Sequence, residues 1–315
     1  MRAVIHPPAS LDPFVCLLPV AGRPLIVRQL QWLRANGVEQ VVVVLPPSAL
    51  GDAVARRLAD EPVSRDVYLL REEVSVREAA RRAGFPDDAS FVALPYDVLG
   101  DGDLTRLLAK AEAAGARGVL APPCALPWRR HPTVDVLGPD PRAERRTVVG
   151  PGWGVSVRTL GEALELGDAI LRGRLPEAGP EHLFPVQVHG VEIAPGVWTT
   201  RGARIHPRAR LVGPAWIDRD CVVEAEAQVG PGAHLSAGAV VTRGGRVVRG
   251  DLGEDAMLEE GTRLVDAAAT IGGGVRGVRC GEATSATVRP RPRWNARATL
   301  VAAAMMIATL AMLAL

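Results

Sequence analysis

The sequence predicts an α/β domain, then a β-solenoid, then an apolar C-terminal helix. Three observations predict it. Strand-like and helix-like segments alternate through the first part of the chain. From Val186 to Val275 aliphatic residues recur at every sixth position. Ala298 to Leu315 is a run of 18 residues without a charge, proline or glycine. These divide the chain into 1–185, 186–275, a basic linker at 276–297 and the apolar segment 298–315.

The alternation begins with Arg2–Ile5, a short strand. Pro24 to Asn36 places Leu25, Ile26, Leu30, Trp32 and Leu33 at mostly helical spacing, and Asn36-Gly37 ends it. Val41 to Leu45 is a continuous aliphatic run, as expected of a strand buried on both faces. Ala49–Leu58 reads as a helix, Asp66–Leu70 as a strand, Ser75–Ala83 as a helix stopped by Gly84, and Ser90–Leu94 as a strand. Asp103–Ala114 is a helix stopped by Gly115, and Gly118–Ala121 a further strand. Such alternation argues for a parallel sheet with helices on its faces.

The repeat is the strongest signal. Ile193, Thr199, Ile205, Leu211, Ile217, Val223, Val229, Leu235, Val241 and Val247 stand six apart, and all but Thr199 are aliphatic. Four residues after each stands a mostly small residue, among them Ala203, Ala209, Ala215, Cys221, Ala227, Ala233 and Ala239. A helix repeats at about 3.6 residues and a strand at 2. A period of six fits one flat side of a triangular coil, aliphatic residue inward and small residues at the corners. The register slips to Leu252, Leu258 and Leu264, which predicts an irregular or capping last coil.

Composition limits the function. Lys+Arg 37 against Asp+Glu 35 leaves a net charge of +2, and aromatics are 4% of the chain. That balance favours neither a polyanionic partner overall nor stacking on nucleic acid. Apolar residues at 48% suffice for a core. Cys16, Cys124, Cys221 and Cys280 form no C-x-x-C pair, which argues against zinc and fits a reducing compartment. The run Phe14–Val20 holds Pro19 and no cleavage pattern follows, so no signal peptide is expected. Lys110 is the single lysine. The glycines of Gly272–Gly277 fit G-x-G-x-x-G in letters only, since no strand–helix context surrounds them. His189, His206 and His234 read as turn or surface histidines rather than a general base.

Arg276, Arg279, Arg289, Arg291, Arg293 and Arg297 face one acid, Glu282, and Arg289-Pro290-Arg291-Pro292-Arg293 cannot be helical. The apolar segment that follows would extend about 27 Å as a helix, enough for a hydrocarbon core. The arginines before it place the preceding domains on the cytoplasmic side of the plasma membrane. A single-pass C-terminal anchor is expected, or else the front part of a longer membrane enzyme.

The first two pieces together resemble the sugar-1-phosphate nucleotidylyltransferases, or NDP-sugar pyrophosphorylases. Met1–Ile5 resembles the first strand of that family. Leu17–Ile26 resembles the segment after its signature lysine. Gly37–Val44 resembles its second strand, Phe91–Val98 the strand ending in a magnesium-holding aspartate, and Gly152–Thr159 its aromatic-Asp-Ile-Gly-Thr segment. The resemblance implies a Rossmann-like domain followed by a left-handed parallel β-helix built from hexapeptide repeats. The implied activity is nucleotidyl transfer with magnesium.

The residues that carry that chemistry are degenerate. A triphosphate needs a cradle of backbone N–H groups, and magnesium needs carboxylates. His6–Cys16 stands where the family has its glycine-rich loop, yet it has no glycine and contains Pro7, Pro8 and Pro13. The lysine position falls on Val15. The first magnesium aspartate matches Asp97, read as a vestigial metal position, and the second falls on Ser156. Only 33 residues, Val119–Pro151, separate the last predicted strand from Gly152, a contracted middle. No catalytic residue and no cofactor is expected, magnesium being implied only if the family's activity survives. The expected partners are a membrane, a second copy through the solenoid, and proteins of polysaccharide biosynthesis. The expected role is binding or scaffolding. An active nucleotidylyltransferase or a hexapeptide acyltransferase is the alternative.

Overall fold

The computed structural model describes residues 1–7, 16–20, 22–59, 61–62, 66–114, 116–121, 126, 133–137, 146–175, 188–270, 274–277 and 287–290. The expectations for Pro8–Val15, the boundary at 185/186, Cys124, Cys280 and the segment Ala298–Leu315 lie outside these residues. Among the described residues, no helix is long and apolar enough to cross a membrane.

The first domain runs through β1 (Arg2–His6), β2 (Pro19–Val20), β3 (Arg23–Pro24), α1 (Leu25–Ala35), β4 (Gln40–Val44), α2 (Ala49–Ala59) and β5 (Val67–Leu70). It continues through α3 (Val76–Arg82), β6 (Phe91–Pro95), β7 (Val98–Gly100), α4 (Leu104–Ala114), β8 (Ala116–Ala121), β9 (Thr133–Leu137), β10 (Arg146–Ser156) and α5 (Leu160–Leu171). Eight strands form one sheet in the order β5-β4-β1-β6-β9-β8-β10-β7. The half from β5 to β6 is parallel. The valine run of β4 explains the layers. Val41 and Val43 enter the core beneath α1 and α2 with Ile26, Leu30 and Val54. Val42 and Val44 point the other way, against Ala79 and Ala80 of α3 and Phe85. Successive side chains alternate across a strand, so a run with no polar member needs cover on both faces.

Local signals end the helices where the sequence predicts. The Ser75 hydroxyl accepts from the Glu78 N–H at 3.2 Å and starts α3. Asn36, just past α1, also accepts from the Leu104 N–H at 2.8 Å, so one side chain closes α1 and opens α4. The sheet departs from the expected all-parallel form: β9 runs antiparallel between β6 and β8, and β7 antiparallel to β10. Both involve a strand, β9 or β10, that lies in the contracted middle or runs out of it.

The solenoid follows with three flat sides. One side stacks Val191–Ala194, Val197–Thr199, Ala215–Ile217, Ala233–Leu235, Gly250–Leu252, Ala267–Thr270 and Gly274–Gly277. The second stacks Arg204–Ile205, Val222–Val223, Val240–Val241, Ala256–Leu258 and Val288–Pro290, and the third Arg210–Leu211, Gln228–Val229, Arg246–Val248 and Arg263–Val265. Ala215 pairs with Val197 before it and Ala233 after it, 18 residues each way, or three hexads per coil. The predicted aliphatic column is the core: Ile217, Val223, Val229, Leu235, Val241 and Val247 are fully or almost fully buried. So are Ala215, Cys221, Ala227, Ala233 and Ala239 beside the corners.

Three expectations are corrected. Ile193 is 46% exposed, because its strand caps the open end as an antiparallel hairpin instead of opening a coil. The register slip is not irregular: Leu235 pairs with Leu252, one residue short of a full coil, and Leu252, Leu258 and Leu264 are all buried. Parts of the basic segment 276–297 are not free linker. Gly274–Gly277 and Val288–Pro290 each add an antiparallel strand to the solenoid's sides. The extended conformation that proline imposes suits an edge strand, and Arg289 there pairs with Glu259.

Candidate functional site

The carboxyl ends of β1 and β6 meet the end of β10, and this is where Asp97 lies. The Tyr96 N–H donates to the His6 carbonyl at 3.0 Å, and the Val157 N–H to the Asp97 carbonyl at 2.7 Å. These tie the three strand ends together. The Ser156 hydroxyl donates to Asp97 Oδ2 at 2.5 Å, and Arg158 Nε stands 3.9 Å from the same oxygen and donates to Ser156 Oγ at 3.4 Å. Asp97 is buried, and among the described residues its Oδ1 has no partner. The Arg158 N–H is held by Glu162 Oε2 at 2.6 Å, and Thr159 caps α5 by accepting from the Glu162 N–H at 3.2 Å. The two positions that the resemblance matched to magnesium aspartates, 97 and 156, are therefore brought together, but as a carboxylate and the hydroxyl donating to it.

These residues do not fit magnesium well. The ion takes oxygen ligands and tolerates no neighbouring cation without loss. Here one carboxylate oxygen is already engaged by a hydroxyl, and a guanidinium supplies positive charge beside it. Among the described residues, no group of three His, Cys, Asp or Glu converges on one point. Arg158 was not singled out in the sequence. The signal was present: it stands two residues after Ser156, and a period of two puts both on one side of an extended chain.

The surroundings are apolar and tightly bonded. Tyr96 is buried, donates its hydroxyl proton to the Val44 carbonyl, and is held well above the usual phenol range by burial and then by Cys16. Arg28 of α1 is buried and donates to the Val20 carbonyl at 3.0 Å; burial, then Arg23, lowers it to about 10. Along the same edge of the sheet a cavity of about 360 Å³ opens beside Pro46 and Ser48, with Arg71 paired to Asp52 at 3.1 Å. Lys110 lies exposed on α4.

A second polar cluster lies between the domains. On the first side of the solenoid the outward residues stack in register as Trp198, Trp216, His234, Asp251 and Ala268. This column docks on α5 and on the β2–β3 hairpin. Trp216 lies against Gly22, where an added Cβ would stand 2.4 Å from its ring, and Gly22 has a φ of +90. Trp216 Nε1 donates to the His189 carbonyl at 2.9 Å. Leu18, Leu160, Leu164 and Ala268 pack together beside it.

His234 is the correction among the histidines. It is 1% exposed, not on a surface. Its Nδ1 donates to the Pro19 carbonyl at 3.1 Å, which fixes the proton on Nδ1 because a carbonyl only accepts. Nε2 then carries a lone pair without a partner among the described residues, and Gly167 of α5 lies so close that a Cβ there would come within 2.3 Å of the ring. Burial lowers the histidine to about 4, against smaller opposing effects of the Pro19 bond and Asp168. Asp251, its neighbour in the column, is pushed up to about 7 by burial, with Ser236 donating to it. The glycine inside a helix was the available signal, since glycine there weakens the helix and marks a close approach. His206, by contrast, is exposed and accepts from the Arg208 N–H at 3.0 Å, and His189 is exposed.

No protein-family model matches the chain, and no curated protein matches it significantly. Among solved structures it is similar to HddC from Yersinia pseudotuberculosis, with 11% identity and a TM-score of 0.41, covering 54% of this chain and 99% of that one. The same protein complexed with GMP-PN gives 12% identity and a TM-score of 0.41 over the same shares.

Proposed function

We propose that this chain is a catalytically degenerate relative of the sugar-1-phosphate nucleotidylyltransferases. It acts by binding or scaffolding beside cell-surface polysaccharide synthesis, tethered to the cytoplasmic face of the plasma membrane. One observation carries the degenerate reading: Ser156 and Arg158 engage one oxygen of Asp97, so a neutral hydroxyl and a guanidinium stand where magnesium would need further oxygen ligands. Nucleotidyl transfer stabilises charge developing on phosphates. A carboxylate already matched by an internal cation offers little to a metal-bound triphosphate. His234 supports no acyl-transfer base, because its free nitrogen is enclosed by α5.

The scaffolding reading draws support from the interface. Pro19 and Gly22 belong to the hairpin that follows His6–Cys16, and both rest on the solenoid. The solenoid thus holds the chain leading from the candidate site, which suits a rigid platform. Calorimetry of the full chain with magnesium and each nucleoside triphosphate tests the reading, together with pyrophosphate release in the presence of sugar 1-phosphates. Neither binding at physiological concentration nor release is expected. Micromolar magnesium-dependent affinity, or turnover with any sugar phosphate, overturns it.

A further inference from the structure

The third side of the solenoid carries a column of arginines. Arg210, Gln228, Arg246 and Arg263 occupy one in-register row across successive coils. Strands in a sheet stand about 4.8 Å apart. Arg246 and Arg263 are therefore direct neighbours, and Arg210 lies about two strand spacings further on, across Gln228. All three arginines are exposed, and among the described residues none forms an ion pair. Like charges placed opposite one another on a sheet repel. Elsewhere on the solenoid Arg208 meets Glu226 at 3.4 Å and Arg249 meets Asp266 at 2.6 Å, while Arg201, Arg204, Arg219 and Arg243 stand exposed in turns or on the second side. The column is a row of strand positions on one flat side where positive charge is stacked without an ion pair among the described residues.

Beside it runs a second column. Val212, Val248 and Val265 stand two residues after the arginines, so they share the outward face, and they are half-buried. A flat surface with guanidiniums on one line and aliphatic groups on the next matches an interface that is anionic outside and apolar just beneath. The chain's own connectivity brings such an interface near. Val288–Pro290 is fixed to Ala256–Leu258, in the coil that also holds Arg263. Seven residues, 291–297, lie between Pro290 and Ala298, eight Cα steps to where the uncharged segment begins. Fully extended, they span at most about 28 Å.

We propose that this arginine column is a docking surface for the headgroups of an anionic phospholipid bilayer, laying the solenoid's third side on the membrane. The inference rests on the membrane reading of Ala298–Leu315, and the experiment separates the two. Full-length protein is floated with vesicles of phosphatidylcholine alone and of phosphatidylcholine with one-third phosphatidylglycerol. The comparison is a variant carrying Arg210→Gln, Arg246→Gln and Arg263→Gln, in which the arginines of 276–297 remain. A basic residue at an anionic surface strengthens binding roughly fivefold, so three supply on the order of a hundredfold. The natural chain should therefore need at least about tenfold less anionic than zwitterionic lipid for half-binding, and the variant should lose most of that gain.

A variant that keeps the gain assigns it to the linker and overturns the proposal. Equal binding of the natural chain to both lipids overturns the docking surface and leaves the anchor standing. Binding to anionic lipid alone supports the column and removes the anchor. No flotation with either lipid overturns both. Capture on dextran sulfate without any preference for anionic vesicles overturns the proposal in favour of a soluble polyanion.

Discussion

Asp97 and Asp251 are the same group in two kinds of burial. Asp97 lies at the carboxyl edge of a sheet, and a hydroxyl and a guanidinium converge on one of its oxygens. Asp251 lies on the outer face of the solenoid and is covered by the other domain; Ser236 donates to it, and burial pushes it up to about 7. In each case the other oxygen has no partner among the described residues. The difference is the nearby cation. A sheet edge collects chain ends from several strands, so Ser156 and Arg158 can be brought to Asp97 from β10 and the start of α5. An outward column on a solenoid has neighbours only above and below, and Asp251 has His234 and Ala268. The α5 surface packed there through Gly167 and Leu164 adds Asp168, whose charge acts on His234.

The comparison breaks first at the contact that creates the second burial. Trp216 fills the space over Gly22 and donates to the His189 carbonyl. Trp216→Ala should destabilise the protein by about 3–5 kcal/mol, the usual loss for a large buried aromatic. It should also raise hydrogen exchange in Leu18–Leu25 and around Gly167, because the domains lose their shared wedge. Unfolding in urea gives the first quantity. Unchanged exchange in both segments would mean that the solenoid does not hold the hairpin, and the scaffold reading would lose its support.

Matched substitutions sharpen the comparison at the carboxylates. Asp97→Asn keeps the shape but removes the charge that Ser156 and Arg158 address. Hydrogen bonds to a charged group contribute about 1.5–3 kcal/mol, so a loss of about 1–3 kcal/mol is expected. Asp251→Asn removes a group whose ionisation burial opposes, and at pH 8 it should stabilise the protein by about 1–3 kcal/mol. Denaturant midpoints at pH 8 decide the signs. Two losses of equal size would show that both sites hold their charge equally well.

Much of the fold could be read from the sequence, for a physical reason. Val41–Val44 and the hexad column from Ile217 to Val247 are periodic, and periodicity states which side faces inward. The sites were less legible. Asp97 and Ser156 were found through resemblance, but the meaning of Ser156 depends on Arg158, which only its period of two from Ser156 marked. His234 carried no mark of its own as a histidine. Its environment comes from Pro19, 215 residues earlier, and from a helix glycine in another domain. The strands β9 and β10 were missed for a related reason: their partners come from far along the chain, and their own sequences are short or interrupted by glycine.

The smallest effect is the most discriminating, because two opposite contributions hide each other. His234 is lowered from 6.5 to about 4 in the folded protein. Its contribution to stability is full above pH 6.5 and is lost as pH falls towards about 4. Asp251 is raised from 3.8 to about 7, so its contribution is full below pH 3.8 and is lost as pH rises towards 7. Between pH 4 and 6.5 the folded state keeps a proton on Asp251 that the unfolded state releases, and refuses one on His234 that the unfolded state takes up. The two slopes cancel there, and the natural chain should be nearly indifferent to pH as far as this pair is concerned. Single variants unmask them. His234→Gln leaves Asp251, and stability should fall as pH rises from 4 to 7. Asp251→Asn leaves His234, and stability should rise from pH 4 to 6.5. Each slope is bounded at about 1.4 kcal/mol per pH unit, the value for one proton. Other titrating groups are common to all three proteins, so the readout is the difference between each variant and the natural chain in urea unfolding at pH 4.5, 5.5 and 6.5. Differences of opposite sign are expected; parallel profiles would mean that neither group is held from water as the docked interface requires.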